Sequence, residues 1–170
     1  MGKVIIHIIP SIMTSFIIQI ILHELGHLIG GVITGWKIIC IQIYRFVLKR
    51  TEKGMNVLIV NDRGFQCIMY PESPYSGAIL YTIGGFVTNL FLGIIGLTII
   101  FTLSMSPILF LYTWSFTVTG IGLFIMNGTS CIKRVCNDRA CYKILRAEEH
   151  SMFYHNIKLR IAFHLMNGLT

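Results

Sequence analysis

Three stretches of this chain are each long and apolar enough to cross a lipid bilayer, and no other feature restricts its fold so severely. A crossing takes about 20 predominantly apolar residues as helix. The first stretch runs from Val4 to about Thr34, carries Pro10 near its start and is uncharged until His23; the second spans Ser76 to Ser104 and the third Pro107 to Met126. Only Met105-Ser106-Pro107 joins the last two, so they are predicted to form an antiparallel hairpin. The chain has 170 residues, 54% of them hydrophobic and 12% charged, with a mean hydropathy of +0.72. A water-soluble domain of that size cannot bury so much apolar surface, which makes lipid the expected solvent and a single domain the expected organisation.

The formal net charge of +7 does not point to nucleic acid, because no basic groove or recognition motif accompanies it. Instead the basic residues sit in the breaks between apolar runs. Lys37, Arg45, Lys49, Arg50, Lys53 and Arg63 separate the first two spans; Lys133, Arg134, Arg139, Lys143 and Arg146 follow the third. Cytoplasmic loops carry the excess of Lys and Arg, so the expected topology has the N-terminus outside and the C-terminus in the cytoplasm, with Lys3 the one dissenter. Five cysteines, Cys40, Cys67, Cys131, Cys136 and Cys141, form no even framework and no Cys-x-x-Cys pair, and are expected to be reduced thiols. Lys3 and the apolar run after it resemble a signal peptide, but the run is too long and lacks a small-residue cleavage site; the segment is expected to remain. The abundance of Ile, Asn and Met points to an AT-rich bacterial genome and hence to a bacterial cell membrane.

Residues 36–70 read differently. The runs 37–48, 55–60 and 65–69 are β-branched and partly alternating, and Lys53-Gly54 and Asp62-Arg63-Gly64 punctuate them, which predicts a strand meander against the membrane. From Tyr142 to Met166 charged and apolar residues alternate as in an interfacial amphipathic helix, within a C-terminal region 128–170. The predicted fold is a mainly α membrane protein: three core transmembrane helices, a membrane-associated β segment between the first and second, and an amphipathic C-terminal helix.

The chemistry lies in His23-Glu24-Leu25-Gly26-His27. Residues four apart share a helix face, so the two imidazoles can bind one zinc ion, about 2.0–2.1 Å from each nitrogen. Glu24 is one step round, within reach of a water on the metal but not a ligand, as in the HExxH arrangement of zinc proteases. Ionisable residues inside an apolar span are costly and mark function. Gln19, four residues before His23, shares its face and either orients an imidazole or bonds a neighbouring helix.

Three motifs together resemble the site-2 protease family of intramembrane zinc metalloproteases. They are His23-Glu24-Leu25-Gly26-His27, then Gly84-Gly85-Phe86-Val87-Thr88-Asn89 in the second span, then the segment from Asn137-Asp138 to Leu145. The resemblance implies an endopeptidase with one zinc per chain, Glu24 as catalytic residue, and His23, His27 and Asp138 as ligands. It also implies Asn89 and Gly85 at the substrate or behind the ligands, although glycines such as Gly84 and Gly85 also let helices pack closely. Arg139 stands where the family carries Gly, and Glu148, Glu149 and His150 are alternative third ligands. The implied substrate is a single-pass membrane protein or hydrophobic peptide, such as a tethered regulator or a small peptide precursor, met within the bilayer; a homo-oligomer is compatible. The free edge of Ile38–Val47 offers an unwound substrate a strand to pair with. Two rival classes are a catalytically inactive, metal-binding membrane scaffold of the same family and a small ion transporter.

Overall fold

The computed structural model describes residues 2–51, 54–72, 78–128 and 138. Within them a short helix α1 (Gly2–Ile5) precedes the long α2 (Ile8–Ile33), a hairpin of β1 (Trp36–Thr51) and β2 (Gly54–Pro71) follows, and α3 (Ile79–Thr102) and α4 (Pro107–Gly128) complete the chain order. Among the described residues three helices, α2, α3 and α4, are long and apolar enough to cross a membrane. The predicted amphipathic helix over Tyr142–Met166 lies outside the described residues.

The first span begins later than its hydropathy suggests. Pro10 has no N–H and its ring would collide with the carbonyl of Ile6 in a continuous helix. The backbone turns at Ile6 and His7, and Pro10 falls in the first turn of α2, where N–H groups lack helical partners anyway. Pro107 opens α4 by the same logic and gives the tight link after α3.

Burial in the helices is inverted relative to a soluble protein. The buried residues of α2 are Ser11, Ser15, Gln19, His23, Gly26, His27, Gly30 and Gly31, a polar and small-residue stripe at helical spacing. In α3 they are Thr82, Gly85, Asn89, Gly93 and Gly96; in α4, Ser115, Thr117, Gly120 and Gly128. The large apolar side chains, among them Ile9, Met13, Phe16, Phe91, Phe101 and Trp114, point outward. A bundle solvated by lipid has no hydrophobic reason to hide Leu and Ile; it gains by close backbone approach and by interhelical hydrogen bonds. Both are present. A Cβ on Gly26 would fall on the carbonyl oxygen of Gly84, and one on Gly84 would fall on that of Gly26. Along α2 and α4, Ser11 and Ser115 hydroxyls are 3.0 Å apart and Gln19 Nε2 donates to the Phe116 carbonyl at 3.1 Å.

The β segment is one two-stranded antiparallel hairpin, pairing Trp36 with Pro71 at its base and Thr51 with Gly54 at its tip. The predicted meander is therefore corrected: Asp62-Arg63-Gly64 makes no turn. The register jumps from Tyr44↔Gly64 to Phe46↔Ile59 instead, so β2 accommodates extra residues opposite Arg45 as a large bulge. Arg45 stabilises that bulge, its Nε donating to the Val60 carbonyl and its Nη2 to Asn61 Oδ1. Tyr44, with φ of 59°, takes up the bend. At the base, Trp36, Cys67, Met69 and Ala78 form a small side-chain core on which Tyr81 stacks, 4.7 Å from the Trp36 ring. An ion pair between Lys37 and Glu72 closes this end and holds the Glu72 carboxyl below its ordinary range.

Candidate metal centre

The buried stripe of α2 carries the two imidazoles of the HExxH motif inward, one turn apart. Their Nε2 atoms lie 3.3 Å from each other. Asp138 joins them, with Oδ2 3.4 Å from His23 Nε2 and Oδ1 3.5 Å from His27 Nε2. These residues form the one potential metal-holding group among the described residues. The alternative ligands Glu148, Glu149 and His150 lie outside them.

Two features test whether this donor set suits zinc. Tetrahedral bonds of about 2.0–2.1 Å put neighbouring donor atoms about 3.3–3.4 Å apart; the two imidazole nitrogens have that spacing, and one ligand atom from each of the three residues lies within 4.8 Å of the others. The protonation pattern agrees with the distances. His27 Nδ1 lies 2.6 Å from the Tyr81 carbonyl oxygen, an acceptor only, so that nitrogen carries a proton and, in the neutral ring, Nε2 offers its lone pair. His23 Nδ1 lies 3.2 Å from the Asn89 amide nitrogen, while Asn89 Oδ1 is buried without a partner. A half-turn of that amide, whose O and N are not distinguishable by shape, lets Oδ1 accept from Nδ1–H and leaves His23 Nε2 bare as well. Asp138 Oδ2 is likewise buried with no donor. In these neutral tautomers two bare nitrogens and a carboxylate face one another, an arrangement that a cation among them relieves. The residues fit the ion.

Gly85 lies against the Nε2 edges of both rings. A Cβ there would land on His27 Nε2 and on the His23 ring, so the imidazoles occupy the space that any other residue would fill. Asn89 is one turn further along α3 on the same face. The two α3 positions singled out by the sequence thus meet the imidazoles directly. Gln19 does not: it bonds α4 through Phe116, the second of its two predicted roles.

Glu24 leaves the ligand cluster and engages the hairpin. Its Oε2 accepts the Cys67 N–H at 2.7 Å, and the Tyr81 hydroxyl donates to the Cys67 carbonyl at 2.8 Å. Both backbone groups of Cys67 therefore leave the hairpin toward the helices, so the β2 edge faces the site. The free edge of β1 lies on the far side, and a strand added along Ile38–Val47 would sit roughly 10 Å from the β2 backbone, two strand spacings away. The expected pairing on that edge is displaced from Glu24 by this geometry. Burial pushes the Cys67 thiol itself up to about 12, with Glu24 nearby adding to the shift, so it stays neutral.

Tyr81 and Cys67 were not legible as site residues. Tyr81 acts through a main-chain carbonyl and a hydroxyl aimed at another main-chain carbonyl, and Cys67 through its amide; neither contact has a side-chain signature. Their only trace is the spacing of Tyr81, Gly85 and Asn89, four apart on one helical face. No protein-family model, curated protein or solved structure matches this chain.

Proposed function

We propose that this chain is a zinc-dependent endopeptidase of site-2 protease type that hydrolyses peptide bonds of membrane-embedded substrates. The observation that carries the reading is the trio of inward-facing donors on His23, His27 and Asp138, whose ligand atoms gather within 4.8 Å of one another, with the carboxylate of Glu24 on the same helix as the two histidines beside them. Held by these three residues, a zinc ion supplies the Lewis acidity that brings a water's pKa toward 7 and polarises a carbonyl.

The chain's own residues do the rest. Glu24 takes a proton from the attacking water as the water oxygen bonds to the scissile carbonyl carbon. When the C–N bond breaks, Glu24 returns that proton to the leaving nitrogen. Cys67 N–H anchors Oε2, which leaves Oε1 to handle the proton. The outer bonds on His23 and His27 fix the tautomer and aim of both rings. An unwound substrate backbone needs partners in lipid; the β2 edge at Phe65, two residues from Cys67, has its N–H and C=O on the same outward side by strand periodicity.

The membrane assignment is multi-pass, with the basic segments on the cytoplasmic side. His23 and His27 lie within about three turns of the C-terminal end of α2, so water reaches them from that side. The substrates are single-pass proteins or hydrophobic peptides, and the membrane is bacterial.

The test is zinc content and cleavage measured together. Glu24→Gln keeps the Cys67 contact, so it is expected to retain zinc and lose cleavage by about 10²–10⁴-fold; Asp138→Asn is expected to lose zinc. Cleavage by Glu24→Gln at the wild-type rate would sink the assignment of Glu24, and zinc with no cleavage in the wild type would favour the scaffold reading.

A further inference from the structure

Between α2 and one face of the hairpin lies a cleft of about 460 Å3, within the range of about 300–1,000 Å3 typical of ligand sites. Leu25 and Leu28 line it from α2, and Phe46, Leu48 and Val57 from the hairpin. Glu24 is the one carboxylate on its wall among the described residues. The hairpin side follows from the register: Phe46 pairs with Ile59 and Leu48 with Val57 on one face, while Lys49 and Asn56 pair on the other. On the cleft face the Phe46 and Leu48 pairs are apolar, and Arg50 with Met55 follows them toward the hairpin tip.

We infer that this cleft is the subsite for bulky branched or aromatic side chains next to the scissile bond of an unwound membrane peptide. The inference rests on the endopeptidase reading and adds what that reading leaves open, namely which sequences are cut. A carbonyl within reach of Glu24 puts its flanking residues at the mouth of the cleft. The lining offers shape and dispersion contacts but almost no hydrogen-bonding side chains, so it takes side chains and leaves the backbone to the β2 edge. Because lipid solvates apolar groups as well as this cleft does, transfer from water does not select the occupant. Fit does, and small side chains leave a gap in which contacts are lost. Phe46 and Val57, 57% and 68% exposed, flank open space and not the packed base of the hairpin. They are specificity-determining positions outside the reacting groups.

The experiment uses the full chain in bilayer nanodiscs with three single-span model peptides. These are identical except for five consecutive residues, all Leu, all Phe or all Ala, beside a helix-breaking Asn-Pro. Wild type is expected to cut the Leu and Phe peptides at least about tenfold more efficiently than the Ala peptide, the discrimination typical of a hydrophobic pocket. Val57→Trp fills the cleft and is expected to reduce that ratio at least fivefold with zinc content unchanged. Independently, a photo-crosslinker at position 57 in a Glu24→Gln background is expected to capture the Leu peptide. Equal loss on all three peptides, an unchanged ratio, or crosslinks to lipid alone overturns the cleft assignment while leaving the protease reading intact. Wild type that holds no zinc and cuts none of the peptides overturns the underlying reading instead.

Discussion

The helical bundle and the β hairpin are held together by opposite means. In the bundle the interior is glycine, hydroxyl, amide and imidazole, and Ile, Phe and Met face outward. At the hairpin base the interior is Trp36, Ile39, Met69 and the Cys67 thiol, an ordinary side-chain core in miniature. The bundle can place two histidines and a carboxylate inside because its neighbours are small enough for helix backbones to touch and because every ring nitrogen has something to face. The hairpin contributes rigidity where it has a core and open apolar surface where it has none. The candidate metal centre and the cleft occupy the seam between these two regimes, joined by Glu24, Cys67 and Tyr81.

The adjacent glycines of α3 separate packing from chemistry most sharply. Gly84→Leu drives a side chain into the Gly26 backbone, which cannot swing aside, and is expected to destabilise the bundle at or beyond the upper end of the roughly 1–3 kcal/mol typical of overpacking. Thermal unfolding in detergent checks this, with Val57→Leu on the open hairpin face expected to stay within about 0.5 kcal/mol. Equal effects at both positions would erase the distinction between the two regions.

A smaller and more selective effect is expected one residue on. Gly85→Ala meets imidazole rings, which can move, and not backbone. The fold should survive while zinc affinity falls by about 10–100-fold, as when a ligand's outer support is disturbed; competition with a zinc chelator measures it. The smallest change is Tyr81→Phe, which removes the hydroxyl bond to Cys67 but keeps the carbonyl that faces His27. It is expected to cost about 1 kcal/mol of stability with zinc affinity unchanged, and a drop in affinity would mean that hairpin and metal centre are coupled more tightly than the contacts imply.

The spans, the antiparallel link at Met105-Ser106-Pro107 and the HExxH motif were legible because each depends on local pattern: hydropathy, loop length, a helical repeat of four. The two-strand form of the hairpin was not, since Asp62-Arg63-Gly64 carries turn chemistry that Arg45 overrides from across the ladder. The role of Gln19 depended on which helix stood opposite, and the Cys67 and Tyr81 contacts run through main-chain atoms that every residue possesses. His23, Glu24 and His27 could be named from spacing alone and Gly85, Asn89 and Asp138 from the motifs that carry the resemblance; Tyr81 and Cys67 required tertiary structure.

The most direct test is zinc X-ray absorption on the purified full-length protein together with metal stoichiometry. One zinc per chain is expected, in a shell of nitrogen and oxygen at about 2.0–2.1 Å that includes two imidazoles, with one imidazole lost in His27→Ala. Absence of a stoichiometric metal, or a shell without paired imidazoles, would contradict it.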